Sequence, residues 1–170
     1  MAEKVKFGDV GKEIPFQKNK KWIYVLKDKT INIRFVGHQE KIYQNWIPSL
    51  RKFDFSETKG EKSSIRIMSL VIDREDNDIK PFCCPASVWS LMSPFGSNHD
   101  FKISRSGNGL NTRYNVESNG ETEVSKEVEH MVKCTLEHYS LTDIFVNKVK
   151  WKLINEPKDT ISRFDMLDIR

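Results

Sequence analysis

Flat rings and positively charged side chains are interleaved in the first half of the chain and again near residue 110. Single-stranded nucleic acid offers a row of phosphates and a row of unstacked bases. A protein that holds it therefore needs spaced cations and exposed rings, and each stacked base contributes roughly 1–3 kcal/mol. The candidate contacts of this kind are Lys20, Lys21, Tyr24, Arg34, Lys41, Tyr43, Trp46, Arg66, Lys102, Arg105, Arg113 and Tyr114.

The segment FKISRSGNGLNTRYNV (101–116) predicts a hairpin with cations in both arms. Alternation places Lys102 opposite Ile103 in the first arm and Arg113 opposite Tyr114 in the second. The Asn108–Gly109 pair suits a tight turn because both residues tolerate positive φ. Cations beside this tip would close over a phosphate backbone. The alternative, which the residues leave open, is an ordinary hairpin whose charged edges prevent aggregation.

Aromatic residues in strands also have a structural role. We expect the majority of them to be buried in the core rather than stacked on bases. The rings assigned to the core on this ground are Trp22, Phe35, Phe53, Trp89 and Phe101.

Length and composition predict a soluble, single-domain protein. A chain of 170 residues can bury a substantial core, and 31% charged residues indicate a well-solvated surface. No apolar run is long enough to cross a bilayer, and the N-terminal segment lacks the apolar core of a signal peptide. Three cysteines, of which Cys83 and Cys84 are adjacent, do not make a disulfide framework. These features favour the cytoplasm and no membrane association.

The positive charge is concentrated in the first third of the chain. Residues 1–52 hold 12 Lys and Arg against 5 Asp and Glu, whereas residues 53–170 hold 16 against 19. The net charge of +4 therefore divides into +7 and −3. A basic surplus of this size attracts polyanions such as nucleic acid or acidic lipid, although it also serves solubility alone.

Strand-like segments dominate the chain from residue 22 to residue 116. Apolar and polar residues alternate most cleanly from Ile31 to Phe35, where Asn32 and Arg34 point away from the apolar face. The predicted elements, in chain order, are a long or broken strand over 22–36, a strand over 65–73, a turn over 74–78, a strand over 79–84, a helix over 85–92 and the two arms of the hairpin.

The helix falls between the third and fourth strands of a five-stranded set. This is the linear layout of an OB-fold, a five-stranded Greek-key barrel that often binds oligonucleotides. Beyond the hairpin the sequence turns acidic, and apolar residues recur at helical spacing from Val124 to Tyr139. We therefore expect a mainly β protein with a basic arm over residues 1–20, an OB-fold core over 21–117 and a helical extension over 118–170 packed on the core.

Two segments of the predicted core resemble the phage-type single-stranded DNA-binding proteins, the T4-like helix-destabilising family. They are VIDREDNDIKPFCCPASVW (71–89) and DFKISRSGNGLNTRYNV (100–116). In that family a hairpin leads into a helix of the pattern P.SVW, and a strand of the pattern I.R.G.GL.T.Y.V follows. The resemblance implies an OB-fold that coats single-stranded DNA during phage replication, recombination and repair.

The resemblance also assigns roles to individual positions. It implies that Arg105 and Tyr114 contact DNA. The residues that it assigns to the barrel are Trp89, Ile103, Leu110 and Val116. Some members of the family hold a structural zinc ion, but here Cys83 and Cys84 are adjacent, and Cys134 with His138 is the one C-x-x-x-H pair. We therefore predict no metal and no cofactor.

An enzymatic role has little support in the sequence. The acidic turn with Asp73, Glu75, Asp76 and Asp78 would suit Mg²⁺ in a nuclease, but a solvated turn is the commoner role of such a cluster. No phosphate-binding loop of the G-x-x-x-x-G-K-[ST] type is found. We therefore expect a protein that catalyses no reaction.

The prediction is sequence-tolerant binding of single-stranded DNA in phage replication, recombination and repair, in the cytoplasm of an infected bacterium. The partners expected are single-stranded DNA, replication or recombination proteins and further copies of the chain on the same DNA. The alternative is a phage adaptor module that binds a host or viral polymerase without affinity for nucleic acid.

Overall fold

The computed structural model describes residues 22–149 and 151–154, and its strands form one six-stranded antiparallel sheet with three α-helices. The elements in chain order are β1 (Thr30–Ile47), β2 (Lys52–Ser56), β3 (Ser63–Asp73), β4 (Asp78–Pro85), α1 (Ala86–Met92), β5 (His99–Ser106), β6 (Arg113–Glu121), α2 (Lys126–His138) and α3 (Leu141–Phe145). Hydrogen-bonded neighbours give the order β4-β3-β1-β5-β6, and β2 pairs with β1. The fold is therefore mainly β, as predicted.

The central strand β1 pairs with three others and bends between its two halves. The first half pairs with β3 and β5, and the second half with β3 and β2. The register against β3 shifts between Val36 and Glu40, which is a bulge. Gly37 in the bulge has φ 73°, and a Cβ there would lie 2.7 Å from Leu136 Cδ1 of α2. Glycine at this position therefore permits both the bend and the close approach of α2.

The inner face of the sheet is the side that carries Ile33, Val71 and Phe101, and it encloses a core of its own. Val88 and Met92 of α1, the helix that the sequence predicted over 85–92, complete this core. Phe82 and Cys84 of β4 belong to the same cluster, and Tyr114 and Val116 of β6 pack against it. The sheet therefore curls until its two edges meet one core. Among the described residues β4 and β6 nevertheless do not pair, so the sheet is open.

The outer face is the opposite side, which carries Val36, Leu70 and Ile72. Val132 of α2 and Ile144 of α3 pack against it. The helix α2 begins after Ser125, whose side chain accepts a hydrogen bond from the Val128 N–H. The outer face is consequently buried where the helices cover it and accessible beyond them.

Three predicted boundaries were wrong. Trp22 to Leu26 is not a strand, because Ile23 alone forms a bridge, in parallel to Phe82. The segment after residue 36 continues as β1 to Ile47. The acidic residues after Val116 do not begin a helix, because β5 holds them as a strand up to Glu121.

A polar network joins β1, the β3–β4 turn, β5 and the end of β6. Arg74 Nε donates to Asp100 Oδ2 at 3.1 Å, and Thr122 Oγ1 donates to Asp100 Oδ1 at 2.8 Å. Arg34 Nε donates to Thr122 Oγ1 at 3.2 Å, and its Nη1 donates to the Phe35 carbonyl at 2.9 Å. Burial lowers the pKa of Arg34, and the Asp100 carboxylate opposes that effect. Asp100 is therefore the anion that the two arginines share.

Replacing Asp100 with alanine should lower the free energy of unfolding by about 2–4 kcal/mol, because two poorly solvated guanidinium groups lose their carboxylate. Asp54→Ala is the matched control, since the Asp54 side chain is 42% exposed and its Oδ1 lies 3.7 Å from Lys148 Nζ. It should cost less than about 1 kcal/mol. Urea denaturation measures both values, and equal losses would contradict the assignment.

Candidate nucleic-acid interface

The predicted contacts do not share one surface. Lys20 and Lys21 lie outside the described residues. Arg34 is only 5% exposed, and the polar network uses its guanidinium group. It is therefore a structural residue, and we exclude it from the candidate interface. The other predicted contacts fall on the outer face, the inner face and the hairpin.

The outer face carries a row of rings and one arginine where α2 and α3 do not cover it. Trp46 of β1 pairs with Phe53 of β2, with ring centroids 4.9 Å apart. Arg66 of β3 donates from Nε to Gln44 Oε1 at 2.9 Å, and Gln44 shares the face of Trp46 two residues along the strand. We define the outer strip as Tyr24, Trp46, Phe53 and Arg66.

Cys83 of β4 connects Arg66 to the other end of the outer strip. Burial raises the pKa of the Cys83 thiol to about 12, and the nearby Arg66 opposes the rise. Ile23 bridges in parallel to Phe82, so that the next residue, Tyr24, lies alongside Cys83. Partial burial, and after it the Cys83 thiol, raises the pKa of Tyr24. Tyr24 is 57% exposed. The outer strip thus crosses four strand spacings, about 19 Å.

The Trp46–Phe53 pair borders a shallow depression of about 680 Å³. Lys62 and Ser63 line it as well, and the backbone N–H of Trp46 donates to the backbone carbonyl of Lys62 at 2.9 Å. Ser63 Oγ is buried and has no hydrogen-bond partner in the described part of the chain. The depression therefore combines two rings, a cation and a buried hydroxyl that has no partner among the described residues.

Phe53 is 57% exposed, so the prediction that it is buried was wrong. In the KFDF segment Phe53 and Phe55 share a face, but only Phe55 reaches the outer core, where it contacts Phe145. The charged pair Arg51–Lys52 just before Phe53 is the sequence signal that could have indicated its position near a strand end.

Lys41 and Tyr43 lie on the inner side of β1, opposite to Trp46. Lys41 Nζ is 5.4 Å from the centre of the Tyr43 ring, which is a cation–π contact. Tyr43 pairs with Ile65 of β3, which is 44% exposed. This pair is therefore a second, separate surface at the same end of the sheet.

The hairpin divides its four candidates between two faces, as the alternation predicted. Arg105 pairs with Tyr114 on the inner side, and the Arg105 Nε is buried without a hydrogen-bond partner among the described residues. Lys102 and Arg113 are exposed on the outer side, where Lys102 pairs with Glu117. A single ligand surface over all four side chains is thus ruled out by their directions.

The tip of the hairpin differs from the predicted tight turn. Positive φ falls on Gly107 (77°) and Gly109 (51°), whereas Asn108 is extended. A 3₁₀ turn from Gly109 to Asn111 then leads into β6. Leu110 in that turn is fully exposed, so its predicted place in the barrel was wrong.

The acidic turn between β3 and β4 forms internal ion pairs. Lys80 Nζ lies 2.7 Å from Asp73 Oδ2 and 2.6 Å from Asp76 Oδ2. Both carboxylates raise the pKa of Lys80 against the effect of burial. Within residues 22–149 and 151–154 no cluster of three or more His, Cys, Asp or Glu side chains is arranged to hold a metal ion.

Comparison with known proteins finds no family model, no curated protein and no solved structure that matches the chain. None of the helices in the described residues is long and apolar enough to span a membrane.

The hairpin tip yields a test of its own geometry. A Cβ on Gly107 would lie 2.1 Å from the Asn111 carbonyl oxygen, whereas a Cβ on Gly109 would meet open space. Gly107→Ala should therefore lower the free energy of unfolding by about 1–3 kcal/mol, and Gly109→Ala by about 1 kcal/mol or less. Thermal denaturation compares them, and an equal or reversed order would show that the tip has another conformation.

Proposed function

We propose that the protein binds single-stranded DNA with little sequence preference and that the outer strip holds the DNA. The observation that carries this proposal is the alignment of Trp46, Phe53, Arg66 and Tyr24 across neighbouring strands of one face. Rings at both ends and a cation between them match the alternation of bases and phosphates in an unpaired strand. We further propose that the protein acts by binding alone and catalyses no reaction.

The state of Arg66 supports a role in binding phosphate. Its Nε is held by Gln44, which fixes the direction of the guanidinium plane. Among the described residues Arg66 forms no salt bridge, in contrast to Arg74 and Lys80, which pair with aspartates. A guanidinium group that is oriented but not neutralised is suited to charge-assisted hydrogen bonds with a phosphate.

Strand pairing supports an OB-fold as the scaffold. In that barrel the first strand pairs with the second and fourth, the second with the third, and the fourth with the fifth. β1, β3, β4, β5 and β6 have these pairings in chain order, and α1 lies between the third and fourth. On this assignment β2 is an insertion between the first two strands, and the curl around the inner core replaces closure between β4 and β6.

The position of the outer strip supports the same proposal. OB-folds bind oligonucleotides on the face of their second and third strands and on the loops after the first and fourth. Arg66 and Cys83 belong to β3 and β4, and Phe53 belongs to the connection after β1. The loop after the fourth strand is the hairpin tip, which Arg105 and Tyr114 flank on the inner side and Arg113 on the outer side. We assign to this tip a second contact with the DNA backbone.

We propose that the protein coats unpaired DNA in phage replication, recombination and repair. This part of the proposal rests on the family resemblance of residues 71–89 and 100–116. Self-association along DNA and contacts with replication or recombination proteins belong to the same hypothesis. The exposed acidic residues Glu127 and Glu137 of α2 are not part of the outer strip, and such partners would bind them.

Titration of the intrinsic tryptophan fluorescence with oligo-dT tests the proposal. We expect strong quenching with oligo-dT and weak quenching with duplex DNA, because paired bases are not free to stack on Trp46. The slope of log affinity against log salt should be about −0.7 per phosphate neutralised. An absent or salt-insensitive signal would overturn the proposal and favour the adaptor hypothesis.

Removal of the rings should weaken binding without unfolding the protein. We expect Phe53→Ala and Trp46→Ala each to lower the affinity for oligo-dT roughly 5- to 100-fold, because one stacked base is lost. Phe95→Ala is the matched control, since Phe95 is also an exposed ring but lies after α1, away from the outer strip. Fluorescence anisotropy of labelled oligo-dT measures all three, and equal affinities for Phe53→Ala and Phe95→Ala would contradict the assignment.

Removal of the cation should change the salt dependence. Arg66→Ala should reduce the magnitude of the salt slope by about 0.7, because one phosphate contact is lost. Lys126→Ala, at the exposed start of α2, removes the same charge elsewhere and should leave the slope unchanged. The same slope for both variants would remove Arg66 from the interface.

A further inference from the structure

The hairpin tip presents an apolar side chain to solvent in an ordered turn. Leu110 has 104% of its reference surface exposed, so it has no packing partner in the described residues. Exposure of a large aliphatic side chain carries a cost that burial against another molecule would remove. A single exposed leucine is common on protein surfaces. Leu110 differs from an ordinary surface leucine in the way its backbone is held and in the charge of its neighbours.

The turn around Leu110 is fixed by its own hydrogen bonds. The Asn111 N–H donates to the Asn108 carbonyl at 2.9 Å, and Thr112 Oγ1 donates to the Gly109 carbonyl at 2.8 Å. At Gly107 the backbone of Asn111 is so close that no Cβ fits. The backbone of the turn therefore holds Leu110 in an outward direction. A side chain held in this way can be inserted into a partner, whereas one on a loose loop cannot.

Cations surround the tip and no carboxylate belongs to it. Residues 104–114 contain Arg105 and Arg113 and no acidic residue. With the Asn108 amide oxygen facing Lys27, the Lys27 Nζ lies 3.1 Å from it. Outside the hairpin, Asp28 follows Lys27 in the chain, and its backbone N–H donates to the Arg105 carbonyl at 2.8 Å. An apolar tip within a basic surround fits nucleic acid better than an acidic or apolar protein surface alone.

The segment that contains Lys27 also connects the tip to the outer strip. Tyr24 lies three residues before Lys27 and alongside Cys83 of β4, because Ile23 bridges in parallel to Phe82. A bound DNA strand that leaves the outer strip at Tyr24 therefore reaches the hairpin tip next. Tyr114 pairs with Arg105 close to the tip of the hairpin, so a ring and a cation lie behind the leucine.

We propose that Leu110 inserts between neighbouring bases of the bound strand and separates them. This inference rests on the proposed function and adds the residue that discriminates between stacked and unstacked DNA. Apolar side chains of this size are known to enter base steps and unstack them. Because poly-dA is strongly stacked and poly-dT is not, the wedge should matter more for dA than for dT.

The test uses a dA oligonucleotide that contains one 2-aminopurine, whose fluorescence rises when the base is unstacked. The wild-type protein should increase this fluorescence on binding. Leu110→Ala should lower the affinity for the dA oligonucleotide at least about fivefold and remove the larger part of the fluorescence increase. Its affinity for oligo-dT should fall less. Leu110→Phe should retain both properties, because a larger apolar side chain still fills the step.

Leu91→Ala is the matched control, since Leu91 is also exposed, at 52%, but lies on α1. It should behave as wild type with both oligonucleotides. If Leu110→Ala matches Leu91→Ala while the wild type still binds oligo-dT, the wedge is overturned and the proposed function stands. If the wild type binds neither oligonucleotide, the proposed function itself fails.

Discussion

The bulge at Gly37 divides β1 into two halves with different partners, and the rest of the architecture follows from that division. Before the bulge, β1 lies between β3 and β5 and covers the inner core. After it, β1 extends between β3 and β2. Ile42 there still packs against the helices, whereas Trp46 near the end of the strand does not belong to that core. The same glycine lets Leu136 of α2 approach the sheet closely. Gly37 thus sets the curl of the sheet, the position of α2 against it and the direction of the end of β1 that carries Trp46.

Burial separates the cations of this protein into two kinds. Arg34, Arg74 and Lys80 lie in or beside the core, and hydrogen bonds within the chain satisfy them. They hold β1, the β3–β4 turn and β5 in place. Arg66 and Arg105 are half-buried, and neither forms a salt bridge within the described residues. An unbalanced cation on a rigid strand is what a polyanion requires, so the first kind supports the scaffold and the second is available for binding.

The sequence predicted the elements whose pattern is local, and it failed where the environment is supplied from far along the chain. β3, β4 and α1 were recognisable because alternation, a turn and a helical face are each contained in a few residues. Arg34 was misjudged because Thr122, which accepts from its Nε, is 88 residues away. Trp46 and Phe53 lie on one face because β2 folds back on β1, a pairing that the interleaved aromatic and basic residues do not indicate.

Photo-crosslinking with an oligonucleotide that carries 5-bromodeoxyuridine at each position in turn tests the central claim most directly, because it reports which side chains touch the bases. The account predicts crosslinks to the peptides that contain Trp46, Phe53 and Tyr24, in a fixed order along the strand, and their loss at high salt. Crosslinks confined to α2 or α3, or none to the rings of the outer strip while the oligonucleotide is bound, would contradict it.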